Sequence, residues 1–200
     1  MFAFKLRIDE ETDLRLLEYR HAGAYFEIIE SNREYLKRWV RSPAKVRSIE
    51  EARSRIQTSL RLFAESGGFH AGLFFRGRLV GEMSFTLIQP EWATLGYWLG
   101  RDFQGRGLVT RACEALLNHA FEELGLDRME IHCAAENVKS RAIPERLGFE
   151  IEGVIRDAHW LEDHFADQVT YSLSARKWRK RKNEGPSARE GSDSALKRLP

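Results

Sequence analysis

The sequence predicts an α/β domain on a mixed, mostly antiparallel central sheet with flanking helices, and three observations predict it. Two strand-like runs, Phe69 to Phe75 and Leu79 to Ile88, meet at Arg76-Gly77-Arg78, a tight-hairpin signal. An apolar run at Ala93 to Leu99 and an alternating run at Met129, Ile131 and Cys133 flank a stretch of three-four periodicity. That βαβ unit places one strand pair in parallel with a right-handed crossover. Finally, Val154 to Trp160 and Phe165 to Leu173 form a closing hairpin that turns near Glu162-Asp163-His164.

In chain order, Phe4, Leu6 and Ile8 alternate with Lys5 and Arg7, a half-buried strand, and from Asp13 the period becomes helical, with Tyr25, Phe26, Ile28, Ile29 and Leu36 to Trp39 as its apolar positions. Ser48-Ile49-Glu50-Glu51 is a capping box that opens a second helix, whose apolar face is Ile49, Ala52, Ile56, Leu60 and Phe63. Leu79, Gly81, Met83, Phe85 and Leu87 share one face of their strand. Val109, Ala112, Cys113, Leu116, Leu117, Ala120, Phe121 and Leu124 form the crossover helix stripe, ended by Gly125. A short helix from Ser140 to Leu147 ends at Gly148.

Two hundred residues with 42% apolar content suffice for one buried core. The net charge of +2 is uneven: residues 176–200 hold 9 Lys/Arg against 3 Asp/Glu, leaving 23 against 27 for the rest. A mildly acidic body argues against a broad nucleic-acid face. We therefore divide the chain into a domain over 1–178 and a basic, disordered tail over 179–200, whose charges could make a weak RNA or ribosome contact. Only Cys113 and Cys133 are present, without metal-ligand spacing, so no metal is expected. No apolar run approaches membrane-spanning length, and the charged start is no signal peptide; a cytoplasmic protein with no membrane partner is expected.

The loop Leu99-Gly100-Arg101-Asp102-Phe103-Gln104-Gly105-Arg106-Gly107-Leu108-Val109-Thr110 joins a strand to a helix with two glycines two apart. Backbone N–H groups there can converge on an anion at a helix N-terminus, although a plain tight turn uses the same residues. Neither a P-loop lysine nor a third dinucleotide-motif glycine is present. Gln104 to Val109 resembles the pyrophosphate loop of the GNAT superfamily of acetyl-coenzyme A-dependent N-acetyltransferases. Asn137-Val138-Lys139-Ser140 through Leu147-Gly148-Phe149 resembles that family's second cofactor segment. With Gly96-Tyr97-Trp98-Leu99 before the loop, the similarity spans Phe4 to Trp178 and is strongest to the RimJ/RimL branch, named for acetylating ribosomal-protein N-termini.

The resemblance implies a GNAT fold whose parallel strand pair splays apart. Pantetheine would lie in the splay against the backbone of Trp98 and Leu99. N–H groups of Gln104, Gly105, Arg106, Gly107, Leu108, Val109 and Thr110 would hold the pyrophosphate, with Arg106 adding a cation and Asn137 a polar contact. Where many relatives carry an acid tyrosine, this chain has Pro144; Ser140 matches the branch's serine instead, a residue whose plainer role is capping the helix to Leu147. The strand at Ala93 to Leu99 also lacks the carboxylate many relatives use as base. His159, His70, Glu82 or ordered water with backbone carbonyls remain, with His159 carried beside Ser140 as the catalytic pair, while Glu82, alternating with Val80 and Ser84, also reads as solvent-facing. Trp39 is a candidate pocket wall, and Glu27, Glu30 and Asp157 are candidates to attract a cationic amine. Acetyl-CoA is the expected cosubstrate and a primary amine the acceptor. A protein N-terminus, a polyamine, an amino sugar, an inactive CoA-binding scaffold and a homo-oligomer all stay open.

Overall fold

A computed structural model describes residues 4–161 and 163–184. Eight strands, β1 (Lys5–Arg7), β2 (Thr12–Leu16), β3 (Gly68–Phe75), β4 (Arg78–Gln89), β5 (Trp92–Leu99), β6 (Arg128–Ala134), β7 (Glu150–Trp160) and β8 (Phe165–Ser174), make one sheet. Their order is β1-β2-β3-β4-β5-β6-β8-β7, and every neighbour pair is antiparallel except β5 with β6. Helices α1 (Ala22–Glu30), α2 (Arg33–Leu36), α3 (Arg41–Ala44) and α4 (Ile49–Ala64) connect β2 to β3. Helix α5 (Leu108–Asn118) crosses from β5 to β6, α6 (Val138–Leu147) precedes β7, and α7 (Ala175–Asn183) follows β8. One core cluster joins α5 to Met83, Phe85, Met129 and Ile131; a second joins α1 and α4 to Leu79 and Trp98. Both faces of the central strands are therefore covered.

Local signals land where their chemistry puts them. Ser48 Oγ accepts from Glu51 N at 3.1 Å and opens α4. The β3–β4 turn uses positive φ at Arg76 (50°) and Gly77 (74°), as a two-residue hairpin requires.

Four expectations need correction. Thr12–Leu16 is strand, not the start of a helix, because Leu14 and Leu16 alternate into the core while β3 pairs with the backbone; helical structure begins with a 3-10 turn at Tyr19–His21, and α1 follows from Ala22. A bulge opposite Leu73/Phe74 moves Leu79 off the Met83 and Phe85 face and under α1. Past Asn118 the crossover helix continues as a π-type turn, His119–Glu123, in which Leu124 N reaches back to His119 O. The wider turn rotates Leu124 into solvent, and Leu126 is buried in its place. On α4 the buried positions are Ala52, Ile56 and Ser59, with Ile49 and Phe63 at the surface.

The basic run does not begin a tail at 179. Trp178 is buried, its Nε1 donates to Asn118 Oδ1 at 3.1 Å, and Arg179 donates to Phe121 O at 3.0 Å, so α7 runs through Lys182 to Asn183. Residues 185–200, the rest of the expected tail, lie outside the described residues, as does Glu162 in the closing turn. Among the described residues no helix is long and apolar enough to cross a membrane, and no cluster of three metal-ligating side chains occurs.

Candidate active site

The parallel pair is short. β5 and β6 are bonded only through Trp92, Ala93 and Thr94 against Arg128, Met129 and Glu130, after which β5 stays with β4 and β6 with β8. Between the diverging halves, Leu95–Leu99 and Ile131–Ala134, opens a cavity of about 1050 Å³. The β5 backbone thus presents an unpaired sheet edge inside the molecule, a place for an extended polar chain.

At one end of the cavity stands the glycine loop. Gly105 (φ 74°) and Gly107 (φ 69°) are left-handed, and a Cβ at Gly105 would meet nothing within 4 Å, so the turn faces open space. Gly107 is the N-cap of α5, and the N–H groups of Gly105 through Thr110 have no partner among the described residues. Free donors at the positive end of an eleven-residue helix are suited to an anion. Gln104 is differently engaged: its Nε2 donates to Tyr35 OH at 2.6 Å and its Oε1 accepts from Lys139 Nζ at 3.2 Å, a link from α2 across the cavity mouth to α6.

At the start of α6, Asn137 is the N-cap, its Oδ1 accepting from Ser140 N at 3.1 Å. The capping role expected of Ser140 therefore belongs to Asn137, and Ser140 sits in the first turn with its hydroxyl free for other partners. Its Oγ lies 3.3 Å from both Tyr97 OH and Cys133 Sγ, and Tyr97 OH donates to the Ser140 carbonyl at 2.9 Å. Burial, and then the neighbouring thiols, push the Tyr97 phenol well above its ordinary value, so it stays a donor. Burial likewise raises Cys133 and Cys113 and keeps both as thiols. The sequence reading assigned Tyr97 no role of its own, yet its alternation with Leu95 and Leu99 on β5 already put it on the α5 side.

On the opposite wall, Glu82 is buried, which corrects the solvent-facing expectation: β4 is covered on both faces, so its polar-looking face is interior too. Its Oε2 accepts from Tyr25 OH at 2.7 Å; its Oε1 accepts from Arg55 at 2.9 Å and lies 3.2 Å from His70 Nδ1. Burial works to raise this carboxyl, but the His70 hydrogen bond, the Arg55 charge and Tyr25 outweigh it and hold it at about 2. Arg55 and Tyr25 were missed by sequence reasoning. Arg55 falls between Ala52 and Ser59 at helical spacing, and a cation on a buried stripe was the available signal.

The cavity lining brings together the expected cofactor and catalytic residues Trp98, Leu99, Gln104 through Thr110, Asn137, Ser140 and His159. Trp39 joins them, while Glu27, Glu30 and Asp157 do not. His159, on β7, is half-buried beside Trp160, with no hydrogen-bond partner among the described residues. The arrangement can hold an anion at one end, an extended arm along β5, and a reacting carbonyl between the Ser140 hydroxyl and the acceptor-side wall.

Comparison with known proteins agrees with this geometry. The acetyltransferase (GNAT) domain family matches residues 12–150. The chain is 37% identical over 178 residues to YdaF of Bacillus subtilis (strain 168), covering 88% of this chain and 97% of that one. It is 28% identical to the ribosomal-protein-serine acetyltransferase of Escherichia coli (strain K12), covering 84% and 94% of the two chains. The solved structure of RimL, a ribosomal L7/L12 alpha-N-protein acetyltransferase, in complex with coenzyme A superposes with a TM-score of 0.82 at 26% identity, covering 86% of this chain and 98% of that one. With a splayed parallel pair, a glycine loop of free N–H donors and a family match over most of its length, this chain belongs to the GNAT acetyltransferase family.

Proposed function

We propose that this protein acetylates the α-amine of a protein N-terminus, with acetyl-CoA as cosubstrate, by direct attack of the neutral amine on the thioester. In this reading the free N–H groups of Gly105 to Thr110, with Arg106, hold the pyrophosphate, and the β5 edge near Trp98 and Leu99 holds the pantetheine arm beside Asn137. Acetyl-CoA supplies the acetyl group on a thiolate leaving group. Ser140 donates to the departing sulfur, with the Tyr97 phenol behind it. The closing hairpin, through His159 and Trp160, walls the acceptor side together with Trp39.

The observation that carries the choice of acceptor is the charge of the lining. Among the described residues bordering the cavity, Glu82 is the one carboxylate, and it is already ion-paired to Arg55 at 2.9 Å. A polyamine needs several counter-charges along its length and finds none here, whereas a peptide carries one cation followed by neutral backbone. The names of the ribosomal-protein relatives support the same class of acceptor.

The test is an acceptor panel with acetyl-CoA: hexapeptides with free N-terminal Ser or Ala, the same peptides with blocked N-termini, spermidine and glucosamine, read by thiol release and mass spectrometry. Free-amine peptides should be acetylated at the N-terminus with a kcat/KM at least tenfold above spermidine. Preference for spermidine or the amino sugar would overturn the reading.

A further inference from the structure

We propose that His70, oriented by Glu82, is the base that takes the proton from the acceptor amine; this rests on the N-acetyltransferase reading above. The register places it. His70 of β3 pairs with Ser84 of β4, and Ser84 pairs with Gly96 of β5, a straight row across three strands on the face under α1 and α4. At about 4.8 Å between strands, the His70 and Gly96 backbones stand about 10 Å apart, with Ser84 between them on the same face. Gly96 keeps the row open, since a Cβ there would lie 2.5 Å from Ser84 Oγ. The next residue, Tyr97, contacts Ser140. Tyr97 and Ser140 lie on the other face of β5, and the cavity between the parted strands is lined by His70, Ser84 and Gly96 as well as by Tyr97 and Ser140, so both faces reach the place where an amine would meet a thioester lying along β5.

The ring is held for this task. Glu82 accepts from His70 Nδ1 at 3.2 Å, which puts the neutral ring's proton on Nδ1 and leaves the Nε2 lone pair as the acceptor. Glu82 itself makes a poor base, because both of its oxygens are engaged by Tyr25, Arg55 and His70. Ser84 Oγ has no hydrogen-bond partner among the described residues, so its hydroxyl can relay a proton from the cavity toward Nε2. His70 also borders a second cavity of about 350 Å³ behind α4, lined with Lys45, Glu51 and Thr58, through which the proton can leave to solvent. The charged and titratable groups around it are Glu82 from β4, Arg55 and Glu51 from α4, Tyr25 from α1 and Lys45 ahead of α4.

The protons balance as follows. The ammonium gives its first proton through Ser84 to His70. The neutral nitrogen then forms the C–N bond as the C–S bond breaks, and sulfur takes a proton from the Ser140 hydroxyl. The amide nitrogen loses its second proton, which restores Ser140, and His70 releases the first to solvent. The sum is acetylated amine, free CoA and one proton.

The experiment measures kcat against pH at saturating acetyl-CoA and a hexapeptide with N-terminal Ser, for the wild type, His70→Gln and His159→Gln, with ¹⁵N NMR of the imidazoles in the wild type. The wild-type rate should rise with pH as the base gives up its proton. His70→Gln should abolish that limb and lower kcat about a hundredfold at pH 7, a deficit that shrinks near pH 10, where the amine arrives already neutral. His159→Gln should keep the limb. NMR should show His70 as the Nδ1–H tautomer, a readout taken on the wild type that stands even if Glu82→Gln, which strands Arg55, fails to fold. A retained limb in His70→Gln, its loss in His159→Gln, or an Nε2–H tautomer overturns the base while leaving the acetyltransferase reading intact. No turnover of any amine by the wild type overturns both.

Discussion

The Tyr97 phenol donates to the Ser140 carbonyl at 2.9 Å, and Pro144 is the reason that carbonyl is available. In an α-helix the Ser140 oxygen would accept from the N–H four residues on, but proline has none, and α6 carries Pro144 in its interior. Tyr97→Phe should therefore strand a half-buried acceptor and cost about 1 to 3 kcal/mol. In a Pro144→Ala background the alanine N–H satisfies the same oxygen, so the cost should shrink. A double-mutant cycle of urea midpoints measures this; equal losses in both backgrounds would disprove the coupling.

Capping and chemistry separate at the start of α6. Asn137→Ala removes the cap and should cost about 1 kcal/mol. Ser140→Ala should leave the melting temperature close to wild type yet lower single-turnover acetyl transfer by about a hundredfold, with the acetyl-CoA Kd within a few-fold. A normal rate in Ser140→Ala would remove the hydroxyl from the reaction.

Gly107 holds φ 69° with Arg111 only 3.1 Å from the position of an added Cβ. Gly107→Glu adds strain, bulk and negative charge beside the free N–H groups, and calorimetry should find CoA binding abolished. Unchanged binding would move the pyrophosphate elsewhere.

Acid should act through Glu82. Its folded value of about 2 lies below the ordinary 4.5, so the stability it contributes is complete above about pH 4.5 and is lost as the pH falls toward 2. That contribution is on the order of 3 kcal/mol. Urea midpoints taken from pH 6 to pH 2.5 should fall more steeply for the wild type than for Glu82→Gln, and parallel curves would show that the carboxylate does not couple to folding.

At the C-terminus, Trp178 anchors α7, and Trp178→Ala should cost about 3 to 5 kcal/mol. Ending the chain after Glu184 should leave the melting temperature unchanged, because residues 185–200 are poor in large apolar side chains. A clear drop on that truncation would mean the segment packs on the domain.

Signals that act within a few residues were legible in the sequence alone: the Ser48 cap, the Arg76-Gly77 turn and the glycines of the 105–107 loop. Each depends on backbone chemistry local to its own segment. What tertiary structure decided is what covers each face and which distant segments meet. Periodicity gave Glu82 a polar face, but α1 and α4 cover that face and bring Tyr25, 57 residues away, onto its carboxylate. Likewise Tyr97 and Ser140, 43 residues apart, meet only because β5 and β6 part after Thr94 and α6 folds over the gap. A strand's alternation reports which side chains share a face; only the packed neighbours determine whether that face meets water, a helix or a cosubstrate.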